Sequence, residues 1–366
     1  MRKLLKHIIR GIIIEHLFIL RNRARRAITD ILFNYPKTHT PPLHSSGNIL
    51  FVRLDGKYGD SIISQFLYSE IKSKLGLKIY MLSKNRESIE FFSEEIDQYI
   101  ICHNTRRLIH LFNAYRKIKD IHFDHVVYLG KQIKDRELIL LKHIRTANLI
   151  TGDKRIRFAD SILLNDTPIH YQERCHNLLR ILDIKHEDSQ PEKTVIHIPE
   201  IESNKIIALL NSQENIIYFN PYGSGSQRRL SSQRASEIHS IISEILPKHI
   251  LITQSETQSE LSISKENQNS LTFKTRTFND ILSLISLCKL VITVDTATSH
   301  AATALDKNSI VFYNPNNTNY IEWNANSDKS TAIFSNKRHN KTISIDDFEN
   351  NDLSNALLAY KKEHTQ

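Results

Sequence analysis

The stretch Leu290-Val-Ile-Thr-Val-Asp-Thr-Ala-Thr-Ser-His-Ala-Ala-Thr-Ala-Leu305 decides the fold. Five mostly β-favouring residues, Leu290 to Val294, end at Asp295. A turn of small hydroxyl residues leads into an Ala-rich helix carrying His300, and the apolar run Ile310-Val-Phe-Tyr313 follows. Strand, tight turn, helix and strand in this order build a parallel sheet. Polar residues at the carboxyl end of such a strand face the crevice where ligands bind, and the next helix offers N–H groups to an anion.

Working outward, the same pattern recurs once in each half of the chain. Asn48-Ile-Leu-Phe-Val-Arg53 reads as a buried strand, followed by the loop Leu54-Asp-Gly-Lys-Tyr-Gly-Asp60 and a helix from Ser61 to about Lys74. Strands at Lys78-Ile-Tyr-Met-Leu82 and His125-Val-Val-Tyr-Leu129 alternate with helices at Arg86–Phe92 and around Leu108–Ile118. Asp135–Ile150 begins as a helix and ends as a strand, His170–Ile184 is a helix, and Pro191–Glu200 connects the halves. The second half opens at Ile216-Ile-Tyr-Phe-Asn220, with the loop Pro221-Tyr-Gly-Ser-Gly-Ser-Gln-Arg-Arg-Leu-Ser-Ser232 and a helix behind it. His249-Ile-Leu-Ile-Thr253, a helix at Phe278–Cys288 and a closing helix at Asp352–Lys361 complete it. Alternating strands and helices predict an α/β architecture of two Rossmann-like halves facing a cleft. The expected divisions are a basic extension and linker over 1–46, a first domain over 47–199, a second over 200–345, and the closing helix over 346–366.

Composition narrows the class. With 366 residues, 40% hydrophobic and 24% charged, the chain can bury two cores. A net charge of +9 points to an anionic partner: nucleic acid, a phosphorylated substrate or an acidic membrane surface. Nucleic-acid binding would interleave basic residues with aromatics along one surface; here the basic cluster is confined mostly to one end. Cys102, Cys175 and Cys288 share no CxxC spacing, which predicts free thiols in a reducing, cytoplasmic compartment and no zinc site. No HExxH-type spacing is present and no metal site is legible.

The first 46 residues differ from the rest. Up to Arg26, Arg2, Lys3, Lys6, Arg10, Arg21, Arg23, Arg25 and Arg26 are set against one acid, Glu15, with Ile12-Ile-Ile14 and Leu17-Phe-Ile-Leu20 between them. Arg10, Glu15 and His16 interrupt the apolar run below the roughly 20 residues of a membrane span, and no small-residue cleavage site follows. Two readings stand: a basic helix on an anionic leaflet, or an amphipathic helix packed on its own domain.

Three loops carry candidate chemistry. Asp60 can be the cap of the helix that follows or a general base at the cleft edge, and Asp55 is a second carboxylate in the same loop. Neither a dinucleotide fingerprint nor a Walker A motif is present. The second loop joins Gly223, Ser224 and Gly225 to Arg228 and Arg229, supplying flexible backbone, N–H donors and cations for phosphate; its plain alternative is a solvated basic turn. Glu256, after the next strand, can accept from ribose hydroxyls or be a surface acid. Asp295 and Thr296 can be a helix cap and His300 a core histidine, but three polar loops at three strand ends describe a nucleotide-sugar cleft.

On these three segments the chain resembles glycosyltransferase family 9, the ADP-heptose:lipopolysaccharide heptosyltransferases. Asn48 to Asp60 is similar to the family's opening strand and Gly-Asp loop, and Asn220 to Arg229 to its phosphate loop. Val294 to Leu305 resembles its Asp-Thr-Gly-x-x-His-x-x-x-x-Leu signature. The likeness runs from about residue 48 to 325. Ala297 replaces the signature glycine, Arg228-Arg229-Leu230-Ser231 replaces Lys-Arg-Trp-Pro, and Asn308-Ser309 replaces Lys-Pro. Residues 1–46 are an extension that typical members lack.

The resemblance implies a GT-B fold, with the closing helix crossing back to the first half. It implies metal-independent, inverting transfer without a cofactor, from a nucleotide sugar, ADP-heptose, to a phosphorylated glycolipid acceptor in lipopolysaccharide biosynthesis at the inner face of a membrane. Asp60 would be the catalytic base, and Asp55, Lys57 and Tyr58 would hold the acceptor. Gly223, Ser224, Arg228, Arg229, Glu256, Asp295, Thr296, Ala297 and His300 would bind the donor. Ala297 adds a methyl where backbone approaches the diphosphate, so the alternative is a same-fold transferase using another nucleotide sugar for a capsule or other glycan.

Overall fold

The computed structural model describes residues 20–36, 46–84, 86, 94–163, 167–185, 196, 198, 200–210, 214–256, 262–267, 269–275, 277–315, 317–336 and 344–364. In the first half, β1 (Asn48–Arg53), β2 (Lys78–Ser83), β3 (Gln98–Ile101), β4 (Phe123–Tyr128), β5 (Thr146–Thr151) and β6 (Ser161–Ile162) form one sheet. Its order is β3-β2-β1-β4-β5-β6, and every pair is parallel. The second sheet contains β7 (Ile216–Asn220), β8 (Ile250–Gln254), β9 (Ser262–Asn267), β10 (Ser270–Lys274), β11 (Leu290–Val294), β12 (Asn308–Tyr313) and β13 (Ser330–Phe334). Its order is β13-β12-β11-β7-β8-β10-β9, parallel except at the β10/β9 edge. With the β9 hairpin strand set aside, both sheets repeat the doubly wound order, whose ligand crevice lies where the strand order reverses. Those switch points fall between β1 and β4 and between β7 and β11.

Helices cover both faces of each sheet. They are α1 (20–33), α2 (Tyr58–Ile63), α3 (Gln65–Leu75), α4 (Leu108–Arg116), α5 (Asp135–His143), α6 (Tyr171–Ile181), α7 (Glu200–Leu210), α8 (Ser232–Ile245), α9 (Phe278–Leu287), α10 (Ala297–Ala304), α11 (Asn317–Trp323) and α12 (Asn350–His364). Because each central strand is buried on both sides, its sequence reads as a continuous apolar run. Ile49 and Phe51 join one core layer of the first sheet, while Leu50 and Val52 join the other. In the second sheet Ile292 and Val294 face the layer holding Phe219 and Phe312, and Val291 faces that of Tyr218 and Phe273.

Several expectations change. The helix expected to begin at Ser61 begins at Tyr58 and breaks at Ser64, whose hydroxyl donates to the Asp60 carbonyl at 2.8 Å. The hairpin strand β9, Ser-Ile-Ser-Lys-Glu-Asn, is too polar to read as a strand, and it survives at the sheet edge, where one side stays wet. The closing helix α12 does not cross to the first half. Its Leu353, Leu357 and Tyr360 complete the second half's core, and Lys361 Nζ donates to the Ile245 carbonyl at 2.9 Å. The expected helix at Arg86–Phe92, most of the connector at Pro191–Glu200 and residues 1–19 lie outside the described residues. The three cysteines are free and buried.

The halves meet through side chains from both sides. Tyr58 stacks on Phe278 with ring centroids 4.6 Å apart, and Tyr171 on Trp323 at 4.6 Å. Lys131 pairs with Glu322, and Asn326 Nδ2 donates to Gln172 Oε1 at 2.9 Å.

Candidate active site

A cavity of about 730 Å³ lies over both switch points, lined from the first half by Gly56, Lys57, Tyr58, Gly59 and Asp60. From the second half come Gly223, Ser224, Arg228, Arg229, Glu256, Asp295, Thr296, Ala297 and His300. The three loops singled out in the sequence therefore converge on one volume. Asp55 alone among the expected site residues is not in its lining.

Asp60 is not a helix cap. Lys57 occupies that position, and Asp60 sits in the first turn of α2. Its carbonyl accepts from Arg53 Nη1 at 3.2 Å, which also donates to Ser64 Oγ at 2.6 Å. Burial pushes the Asp60 carboxyl up to about 7, the Asp55 carboxylate adds to this, and the Arg53 and Lys57 cations oppose it. Asp55 is exposed as a residue, yet its carboxyl hydrogen-bonds that of Asp60. Desolvation raises Asp55, but Arg53, that hydrogen bond and Lys57 outweigh it and hold Asp55 below the usual carboxylate range. Burial and the neighbouring Asp55 charge thus keep Asp60 protonated well above the usual carboxylate range. Asp55, expected on the acceptor, stays outside the lining of the cavity.

The second loop is folded around its own backbone. A Cβ at Gly223 would lie 2.3 Å from the Arg228 carbonyl oxygen, whereas one at Gly225 would meet nothing within 4 Å. Gly223→Ala is therefore expected to displace the Arg228 backbone and destabilise the protein by about 1–3 kcal/mol. Gly225→Ala should leave the melting temperature unchanged; thermal unfolding of the two variants checks the contrast.

Arg228 Nη2 donates to Ser224 Oγ at 2.9 Å, and its Nη1 lies 3.4 Å from Asp295 Oδ2. Arg229 Nη2 donates to Glu256 Oε1 at 2.5 Å and its guanidinium stacks over Tyr222. The paired arginines thus have partners at the cavity wall while staying partly exposed, and Glu256 stands beside them at the rim.

Asp295 is buried and accepts from Asn319 Nδ2 at 2.8 Å. Burial raises its carboxyl, against the lowering effect of Arg228 and Asn319. Thr296 precedes α10 without a side-chain cap bond, and Ala297 is the first residue of that helix. His300 packs on Gly59: a Cβ there would lie 2.9 Å from the ring's Cδ2. Burial, with smaller effects from His170 and the Arg228 cation, pushes His300 down to about 3, so its imidazole is neutral. His300 is both a packed residue and part of the wall, and it joins α10 to α2.

The sequence alone did not point to several lining residues. Trp323, the single tryptophan, closes the cavity from α11, and Lys57 Nζ sits 5.6 Å from its ring centroid. Asn319, Gln254, Thr275, Thr277 and Phe278 also line it. Asn220 Nδ2 donates to Thr298 Oγ1 at 2.8 Å, tying the end of β7 to α10.

Comparison with known proteins agrees with this geometry. Residues 183–351 match the model of glycosyltransferase family 9 (heptosyltransferase). A protein of Escherichia coli (strain K12) named "Putative lipopolysaccharide heptosyltransferase 4" is 24% identical over 356 residues, covering 93% of this chain and 91% of its own. A glycosyl transferase family 9 structure from Veillonella parvula DSM 2008 superposes with a TM-score of 0.68 at 14% identity, over 88% of this chain and 100% of that one. The E. coli ADP-heptose lps heptosyltransferase II gives 0.61 at 15%, over 87% and 99%. E. coli heptosyltransferase WaaC with ADP gives 0.61 at 12%, over 87% and 98%. The family match covers the second sheet with the loop of residues 221–232 and helix α10, and the fold likeness covers both halves. With two Rossmann-like domains around one cleft, the chain is a GT-B glycosyltransferase whose second half is similar to family 9, the heptosyltransferases.

Proposed function

We propose that this enzyme transfers a heptose from ADP-heptose to a hydroxyl of a lipopolysaccharide core acceptor, with inversion and without a metal. The observation that carries this reading is the placement of Asp60, a carboxyl poised near neutrality, opposite Arg228 and Arg229 in one cavity. A base is most useful when its pKa lies near the working pH. Asp60 takes the proton of the acceptor hydroxyl as that oxygen attacks the anomeric carbon. The bond to the diphosphate oxygen breaks on the opposite face, through an oxocarbenium-like centre.

Negative charge then gathers on the departing diphosphate. Arg228, Arg229 and the N–H groups at the start of α10 are the fixed donors that meet it. Asp295 and Ser224 hold the Arg228 guanidinium at the wall before substrate arrives, so little reorganisation is needed. Glu256 accepts from the ribose, and Lys57 with Tyr58 borders the acceptor side. No cofactor is required, because protein cations carry the leaving-group charge. The similarity to proteins named as lipopolysaccharide heptosyltransferases supports the choice of sugar and pathway.

One observation favours a second donor. Ala297 lines the cavity at the first position of α10, where its methyl narrows the approach of a ligand to the backbone. That would suit a different nucleotide sugar in the same mechanism. Calorimetry across ADP-heptose, other ADP-sugars, UDP-, GDP- and CMP-sugars decides between them. The expected result is binding of ADP-heptose that weakens at least about tenfold in Arg228→Ala. Binding of another nucleotide sugar alone would overturn the heptose assignment and leave the fold and cleft intact.

A further inference from the structure

Helix α1 is docked with its polar side inward. At 3.6 residues per turn, Leu20, Ala24, Ala27, Ile28 and Ile31 fall on one stripe and Arg26, Thr29 and Phe33 on the opposite one. The second stripe is the one that touches the protein. Arg26 Nη1 donates to the Ile133 carbonyl at 2.8 Å, and Arg25 and Arg26 both pair with Asp135. Beyond the helix, Asn34 Nδ2 donates to the Arg155 carbonyl at 2.7 Å and Asn34 Oδ1 accepts from Arg157 N at 2.8 Å. The apolar stripe is left outside: Leu20, Ile28, Ile31 and Leu32 are all exposed, Ile31 at 77%.

A second helix repeats the feature. Leu108, Ile109 and Phe112 span about 100° of α4 and are 54–58% exposed. The two helices lie against a common neighbour, α5: Phe33 of α1 and Tyr115 of α4 both reach His143, with ring centroids 6.1 and 6.4 Å away. Exposed apolar side chains concentrated on two neighbouring helices mark an interaction surface.

We propose that this face of the first half is a docking surface for an anionic lipid bilayer. Its charge selects that occupant over a protein partner. Arg21 and Arg23 border the α1 stripe, and Arg106, Arg107, Arg116 and Lys117 border α4, all exposed. The sequence that enters α1 continues the same mixture, with Arg2, Lys3, Lys6 and Arg10 around Ile12-Ile-Ile14 and Leu17-Phe-Ile-Leu20. Apolar side chains within a belt of Arg and Lys bind at the boundary of headgroups and acyl chains. Contact at that depth requires no spanning segment, and no described helix is long and apolar enough to cross a membrane. The surface belongs to the half that carries Asp60, so docking brings that half to a lipid-borne acceptor. The inference is independent of the donor and of the chemistry in the cleft.

Co-sedimentation of the full chain with vesicles tests it, using phosphatidylcholine alone and phosphatidylcholine mixed with phosphatidylglycerol. Binding to the mixed vesicles is expected to be about tenfold tighter. The double substitutions Ile28→Ser with Ile31→Ser, and Leu108→Ser with Phe112→Ser, should each weaken it at least about fivefold. Both alter exposed positions, and unchanged melting temperature and nucleotide-sugar binding would show that fold and cleft are intact. Equal binding to both vesicle types, or binding that ignores both double substitutions, overturns the proposal. So would a dimer in sedimentation velocity that these substitutions dissolve, since a second copy would then own the face.

Discussion

Asp60→Asn is expected to lower the transfer rate by about 10²–10⁴-fold while donor binding stays within about twofold, because general-base catalysis supplies an effect of that size. The amide keeps the shape of the carboxyl and removes only its ability to accept the acceptor's proton. The rate of the parent enzyme should rise with pH through about 7, where Asp60 loses its proton. Asp55→Asn should move that rise to lower pH, because the Asp55 charge is, after burial, the largest cause that holds the proton on Asp60. A pH–rate profile of the three proteins reads both effects.

The same shift has a stability consequence of definite sign. Asp60 is raised in the folded protein above its ordinary value of 3.8. Its contribution to stability is therefore present below pH 3.8 and is lost as pH rises through about 7. Asp60→Asn should thus be more stable than the parent at pH 8 by on the order of 1–3 kcal/mol, and no more stable near pH 4. A variant that is more stable and inactive is what a base held in a desolvated site produces. Melting temperatures at the two pH values check this.

Arg228→Ala carries the second large effect, an expected loss of about 10²–10³-fold in transfer, the scale of removing one donor from a developing oxyanion. Arg228→Lys should recover part of it, since an ammonium restores the charge without the planar two-pronged geometry. Removing the guanidinium also leaves the buried Asp295 carboxylate with Asn319 as its remaining side-chain donor. Arg228→Ala is accordingly expected to lose stability above the pH at which Asp295 ionises. Adding Asp295→Asn to Arg228→Ala should restore stability and not donor affinity. That separation of melting temperature from calorimetric affinity distinguishes a ligand-binding arginine from a merely structural ion pair.

The strands and the polar residues at their ends were the legible part of this molecule. β1, β7 and β11 are buried on both faces, so their sequences are mostly apolar, and Asp60, Arg228 and Asp295 lie in the segments that follow them. Residues contributed by elements without such a signature were not legible. Asn319 and Trp323 sit on α11, Asn-Thr-Asn-Tyr-Ile-Glu-Trp, a short helix with too few apolar positions to show a period. Phe278 reaches the cavity because it stacks on Tyr58 across the cleft, and no local pattern encodes a partner in the other half. Asp60 reads as a cap only if the helix starts at Ser61; three residues of earlier helix turn it into a wall residue. The closing helix was expected to cross over on the strength of the family resemblance. Its own Leu353, Leu357 and Tyr360, at i, i+4 and i+7, fit the core beside it.

The most direct measurement is transfer itself, with ADP-heptose and a lipopolysaccharide core acceptor in the presence of EDTA. Nucleotide release and the anomeric configuration of the product would be followed together by NMR. One ADP released for each acceptor glycosylated, an inverted anomeric centre and indifference to EDTA are the results predicted. Retention of configuration, or activity abolished by EDTA and restored by a divalent cation, would contradict a mechanism built on Asp60 as base and Arg228 as counter-charge.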